Sequence, residues 1–274
     1  MTSTLELNSG HQIPRVGFGT SALKAPAESV SAALQAGYRA VDTAQMYRNE
    51  EAVGRGLRDS AVPRDEVFIT TKLNNEFHAP PDVHRTFKES LDRLGLETVD
   101  LFLIHWPMPF LDIDYVDTWK AMVELRDAGR ASAIGVSNFQ PEHLERIIDA
   151  TDVVPAVNQI EAHPHFANNE LREFSKAHGI AVEAWSPLGK GTELSEPVIR
   201  GIAERHGRTP AQVVLRWHLQ RGDIVIPKTD TPARMTENLN VLNFELSAED
   251  MADVEALDRG ESGRRSPHPN EFGP

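Results

Sequence analysis

The chain has 274 residues, 40% of them hydrophobic and 25% charged, enough for one large domain with a substantial core. Its formal net charge of -13 and pI of about 5.3 oppose contact with phosphate backbones or anionic membranes, so neither nucleic acid nor membrane is an expected partner. It has no cysteine, which excludes a disulfide framework, a thiolate metal site and a cysteine nucleophile together.

Residues 1–14 lack the basic region and apolar run of a signal peptide, and no apolar stretch approaches the ~20 residues of a membrane span. The expectation is a cytoplasmic protein. Apolar residues around Asn8-Ser9-Gly10 predict a small N-terminal β-hairpin over 4–14. Beyond it, short apolar runs at 15–19, 39–42, 67–72, 99–105, 131–136, 156–160, 180–185 and 223–227 predict eight strands. Amphipathic stretches at 27–36, 50–58, 81–94, 116–128, 141–150, 169–178, 210–221 and 248–257 predict the helices.

Start and stop signals support these boundaries. Pro141 and Pro210 fall in first turns, where a missing N–H is harmless, and Ser247 with Asp250 offers a cap. Gly37, Gly95, Gly129, Gly179 and Gly222 each follow a helical run, as left-handed caps do. Near-continuous apolar strands alternating with helices imply a parallel sheet covered by helices. Eight such units predict a (β/α)8 TIM barrel rather than an open doubly wound sheet. Polar residues close strand after strand around the ring, whereas an open sheet would gather them at one switch point. No linker or repeat divides the chain, so 1–274 reads as a single domain. The tail 260–274 has no periodicity and is either a frayed end or a loop over the barrel mouth.

Four residues at strand ends form a proton-donating set. Asp42 closes one strand, Tyr47 follows on the next loop, and Lys72 and His105 close two more. A phenol donates poorly near its ordinary pKa of about 10, and a nearby ammonium is expected to lower it. Asp42 would keep Lys72 charged, and His105 could orient a substrate carbonyl whose oxygen gains charge as hydride arrives. Taken singly, each has a plainer explanation: a turn former, a structural ion pair, a packed imidazole, a packed ring. Their convergence on one rim favours acid–base chemistry.

In this order VDTAQMY, ITTK, LIHWP, GVSNF, NQIE, WSPLG and IPK resemble the aldo-keto reductase family, over Val16 to about Asp258. The sequence is most similar to the prokaryotic branch that includes 2,5-diketogluconate reductases. The resemblance implies an NADPH-dependent enzyme that reduces aldehydes or ketones, with Asp42, Tyr47, Lys72 and His105 catalytic. It places Ser137, Asn138 and Gln159 on the nicotinamide carboxamide and Trp185 against the nicotinamide face. Ser186, Pro187, Leu188 and Gly189 would pass over the pyrophosphate, with Gly19, Thr20, Ile226 and Pro227 lying close to the cofactor. Lys228, Thr229 and Arg234 match the 2′-phosphate pocket, and Glu237 and Asn238 the adenine side. Asp230 and Thr231 depart from the branch and weaken the case for a strong NADPH preference. Phe18, Asn74 and Trp106 are the expected substrate pocket, Asn74 standing where relatives often carry tryptophan. A monomer and a small carbonyl substrate are implied, and no metal.

Two other functions keep the same barrel: a Schiff-base lyase using Lys72, and a non-catalytic nucleotide-sensing subunit. The first needs a depressed lysine pKa, which Asp42 opposes. Gly17–Ala22 fits GxGxxA only loosely, its helix starting too late for a dinucleotide fingerprint. Glu161, His163 and His165 are read as a rim loop rather than metal ligands, and 142–145 as a solvated helix start.

Overall fold

The computed structural model describes residues 3–272. β1 (Thr4–Glu6) and β2 (Gln12–Pro14) form the predicted hairpin, with Leu5 opposite Ile13. Leu7 and Ile13 pack with Ala40, Phe68, Leu101, Ala133, Val157 and Ile224, so the hairpin plugs the end of the barrel at which the parallel strands begin.

Eight parallel strands come next, each paired to its neighbour in chain order. They are β3 (Phe18–Gly19), β4 (Ala40–Asp42), β5 (Phe68–Leu73) and β6 (Val99–Ile104). β7 (Ala131–Ser137), β8 (Val157–Glu161), β9 (Ala181–Trp185) and β10 (Ile224–Val225) complete the set. The ring closes where Gly17 N donates to Val225 O at 2.8 Å and Val225 N to Arg15 O at 3.0 Å. The predicted strand 15–19 shortens to β3 plus a Val16–Val225 bridge. Its partner β10 is cut short in turn, because Pro227 has no N–H to extend the ladder.

The helices are α1 (Pro26–Ala36), α2 (Glu50–Asp59), α3 (Pro80–Leu94), α4 (Tyr115–Asp127) and α5 (Pro141–Thr151). α6 (Asn169–Ala177), α7 (Pro197–His206), α8 (Pro210–Arg221), α9 (Pro232–Leu239) and α10 (Ala248–Glu255) follow. All five glycines read as caps lie in left-handed conformations, and Thr209 and Ser247 each close a capping box. Helices α7 and α9 escaped the sequence pattern. Only Met235 and Asn238 are buried in α9, and α7 buries only three small or medium apolar side chains, Ile199, Ile202 and Ala203.

The outer faces of the strands and the inner faces of the helices share one core, with Trp119, Phe87, Phe102 and Phe139 fully buried. Burying each such side chain contributes ~1.5–3 kcal/mol. Because the strands are parallel, their C-terminal ends all open on the face opposite the hairpin, and polar side chains gather there.

Helix α2 approaches α3 so closely that a Cβ on Gly54 would lie 2.2 Å from the Leu94 carbonyl oxygen. A backbone oxygen cannot swing aside. Gly54→Ala should therefore lower stability by about 1–3 kcal/mol despite the better helix propensity of alanine. Thermal melting checks this, and an unchanged or raised Tm would contradict the close approach.

Candidate active site

Lys72 on β5 is wholly buried and points into the barrel mouth. Its Nζ lies 2.6 Å from Asp42 Oδ1 at the end of β4 and donates to Thr43 O at 2.9 Å. Its third contact is Tyr47 OH at 3.3 Å. Tyr47 reaches this position on a single 3-10 turn, Gln45–Tyr47, ended by Arg48 in the left-handed region. His105 follows β6, its ring meeting the Tyr47 ring edge-on at 5.7 Å. The four predicted residues thus converge on one point.

Electrostatics refine the expected chemistry. Burial works to strip the proton from Lys72, but Asp42, Tyr47 and Glu183 together outweigh it and hold its pKa above the ordinary value. Burial pushes the Tyr47 phenol up, and the attraction of Lys72 offsets only part of that. The expectation of a lowered phenol pKa is corrected: in this site desolvation wins over the ammonium. His105 is pushed well down, by burial first and Lys72 second, and so stays neutral. A neutral imidazole can donate one hydrogen bond without bringing a charge.

A cleft of about 680 Å³ opens above these groups. Its wall includes Gly19, Trp106, Ser137, Asn138, Gln159, Trp185, Ser186, Pro187, Leu188, Ile226, Pro227, Lys228 and Arg234 from the predicted set. An adjoining lobe is lined by Thr229, Glu237 and Asn238, and Lys228 and Arg234 belong to both. The Trp185 indole is fixed by its N–H, which donates to Asn138 Oδ1 at 2.9 Å. Ser137 Oγ donates to Gln159 O at 2.8 Å, and Asn138 Nδ2 to His105 O at 3.0 Å. One end of this groove therefore offers a flat aromatic wall and amides, the other cations. That donor set fits an extended dinucleotide with a phosphate at its far end.

Several predicted residues lie elsewhere. Phe18 is fully buried edge-on to Tyr38 at 5.4 Å and belongs to the core, not the cleft. Thr20 is also buried. Its hydroxyl donates to Asp42 O at 2.9 Å, so it braces the strand end from behind. Asn74 is outside the cleft wall, its backbone N–H donating to Gln45 Oε1 at 2.9 Å. Gly189 turns the chain behind the wall, next to the Glu193 carboxylate. Asp230 accepts from Lys24 N at 3.0 Å and sits 3.5 Å from Lys228 Nζ, so part of the cation's charge is already answered.

Other residues of the site gave no sequence signal. Met46, Ser21, Lys190, Gly191 and Leu194 complete the cleft wall. The tail is not frayed: Phe272 packs on Trp106 with ring centroids 4.3 Å apart. Arg265 N and Ser266 N both donate to Glu161, and Arg265 pairs with Glu193 at 2.7 Å. Gly263 is needed there, because a Cβ would lie 1.7 Å from His165 O. His163 lies between Glu161 and Glu193, with Nε2 3.0 Å from the first carboxylate and Nδ1 2.8 Å from the second.

Glu183 on β9 was also missed. It is buried beneath Asp42, and burial followed by the Asp42 charge pushes its carboxyl up to about 7 from an ordinary 4.5. Between those values the unfolded chain ionises while the folded one keeps the proton, so stability falls as pH rises from 4.5 through 7. Glu183→Gln should hence raise Tm on the order of 5 °C at about pH 8.5 and by much less at about pH 5. Melting curves at both pH values check it, and a pH-independent difference would refute it.

A profile of the Aldo/keto reductase family matches residues 15–259. An aldo-keto reductase of Mycolicibacterium smegmatis is 50% identical over 99% of this chain and 98% of its own length. Methylglyoxal reductase DkgA of Escherichia coli is 42% identical over 99% and 98% respectively. Among solved structures, a Gox0644 variant in complex with NADPH superimposes with a TM-score of 0.95 at 50% identity, covering 99% of both chains. A Bombyx mori aldo-keto reductase in complex with NADP gives 0.93 at 32% identity, over 100% of this chain and 98% of that one.

Proposed function

Because this chain belongs to the aldo/keto reductase family, we propose that it reduces a small aldehyde or ketone to the alcohol with NADPH, Tyr47 supplying the proton. The enzyme is an NADPH-dependent oxidoreductase acting on carbonyl compounds. The observation that carries the residue roles is the meeting of Lys72 Nζ with Asp42 Oδ1 and Tyr47 OH, at 2.6 and 3.3 Å, at the base of the cleft.

NADPH, when bound, supplies the hydride that reaches the carbonyl carbon. The remaining work falls to side chains. His105, neutral, donates to the carbonyl oxygen and directs it at Tyr47. Tyr47 gives its proton to that oxygen as charge develops there. A raised phenol pKa does not defeat this step, since an alkoxide is a stronger base than a phenolate. Lys72 stays charged and stabilises the phenolate left behind, and Asp42 keeps Lys72 in place. Trp185, fixed by Asn138, walls the nicotinamide end against water. Lys228, Thr229 and Arg234 would take the 2′-phosphate.

Methylglyoxal, named for the E. coli relative, is the first compound to assay. The packing of Phe272 on Trp106 supports a compact apolar substrate end. The raised pKa of Lys72 speaks against a Schiff-base lyase, which needs a neutral amine. A nucleotide-sensing subunit would have no use for a proton donor at the cleft floor. The cleft is complete within one chain, which supports a single-domain monomer as the working unit. The cytoplasm is the proposed compartment, which a chain without cysteine fits.

Tyr47→Phe should lower kcat by about 10²–10⁴ while NADPH binds as before, because only the donor is lost. NADPH consumption and fluorescence titration measure the two, and full turnover would remove Tyr47 from its role. Lys228→Ala with Arg234→Ala should weaken NADPH by about tenfold or more and NADH far less. Equal losses for both cofactors would remove the phosphate assignment.

A further inference from the structure

Gln159 presents an amide whose two ends are nearly identical in shape and opposite in chemistry: one donates twice, the other accepts. The groups packed behind it decide which end faces the cleft. Its Nε2 is 2.8 Å from Asp42 Oδ2 and 2.6 Å from Glu183 Oε2. Both carboxylates are buried, and an ionised carboxylate only accepts. The reverse orientation would set the amide oxygen against two carboxylate oxygens, which repel it. The neighbouring groups are otherwise engaged: Ser137 Oγ donates to Gln159 O, Asn138 Nδ2 to His105 O, and Asn138 Oδ1 accepts from Trp185. Gln159 Oε1 accepts from no protein group among the described residues, and Gln159 forms part of the cleft wall.

We propose that Glu183 is a positioning residue: with Asp42 it takes both amide protons of Gln159 and turns Oε1 into the cleft, as the acceptor for the carboxamide N–H of the nicotinamide. This rests on the reading that Gln159 meets that carboxamide. With Asp42 alone, one N–H would be left buried without a partner, and the amide could turn. The result would be a nicotinamide ring held less firmly in one orientation.

The position is otherwise a poor place for a carboxylate. Asp42 and Lys72 already neutralise each other, so Glu183 adds a third, uncompensated charge, and an apolar side chain would cost less. The groups that face it are Asp42 on β4, Lys72 on β5 and Gln159 on β8; its carboxyl, raised to about 7, changes charge near neutrality. An ionised acceptor holds an N–H more strongly than a neutral one, so its grip on Gln159 weakens as pH falls.

The test compares NADPH with 2′,5′-ADP, which carries the adenosine and 2′-phosphate but no nicotinamide, by calorimetry on the full chain. Glu183→Met keeps the length and removes the acceptor. It should weaken NADPH about tenfold and leave 2′,5′-ADP within about twofold. Glu183→Gln, which still accepts but carries no charge, should recover only part of that loss. From about pH 8 to about pH 6 the preference for NADPH over 2′,5′-ADP should fall about fivefold more in the wild type than in Glu183→Gln, a comparison that cancels the titration of the 5′-phosphate that 2′,5′-ADP carries and NADPH does not. This arm stands even if Glu183→Met does not fold. Equal losses for both ligands in Glu183→Met, or the same pH profile in the wild type and in Glu183→Gln, would overturn the proposal. Gln159→Met separates the two layers. If it weakens NADPH while Glu183→Met does not, Glu183 has no positioning role; if it leaves NADPH binding unchanged, the carboxamide reading of Gln159 itself falls.

Discussion

Placing an ammonium group at the floor of a protein cleft is unfavourable unless something nearby holds its charge, and in this barrel Asp42 does so for Lys72 at 2.6 Å. Lys72 has no solvent exposure, so water cannot replace Asp42 as the partner of its charge. Removing one partner would leave an unpaired buried charge, the costly case, whereas the intact pair is roughly self-compensating. The geometry around it is set by that need. Asp42 must end β4 where β5 brings Lys72 alongside, and the register pairs Asp42 with Thr70 to do so. Thr20 and Thr43 fix the backbone at that corner, one by donating to Asp42 O and the other by accepting from Lys72 through its carbonyl.

From this pair the properties of its neighbours can be read. Tyr47 is raised by burial but remains within reach of a cation that favours its ionised form. His105 is kept neutral by burial and by the same cation. Glu183, on the far side of Asp42, is held protonated longer than an exposed glutamate. A single buried charge pair thus bears on three titrations in one small volume. Gln159 connects the set to the wall of the cleft, because its amide touches both Asp42 and Glu183.

The rim is organised by a second group of charges. Glu161 and Glu193 hold His163 between them, and Arg265 and Ser266 bring the tail onto the same two carboxylates. Glu193 belongs to the 3-10 turn that carries Leu194 along the cleft wall, directly after the turn that carries Lys190 and Gly191. The tail, the wall and the end of β8 are therefore one connected unit. Phe272 reaches Trp106 from that unit, so the tail forms part of the cleft's apolar end.

The barrel was legible because its evidence is local. Apolar runs, caps and glycines recur along the chain, and each needs only a few adjacent residues to be recognised. The cluster of Asp42, Tyr47, Lys72 and His105 was legible because three of its members each end such a run. Helix α9 was hidden because it buries only Met235 and Asn238, and a period cannot be read from two contacts. Phe18 and Thr20 were misplaced because strand order does not say whether a side chain points toward the helices or the cleft. The phenol's direction of shift depended on how much water reaches Tyr47, a property of every element around it. Glu183 and Phe272 meet their partners across 24 residues and more of intervening chain, from Gln159 in one case and Trp106 in the other. The order of residues by itself determined the repeating unit, the strand ends and the placing of Asp42, Lys72 and His105 at them, since those depend on neighbours in the chain. Only the closed ring decided burial, charge balance and the orientation of an amide, since those depend on which distant groups share one small, dry volume.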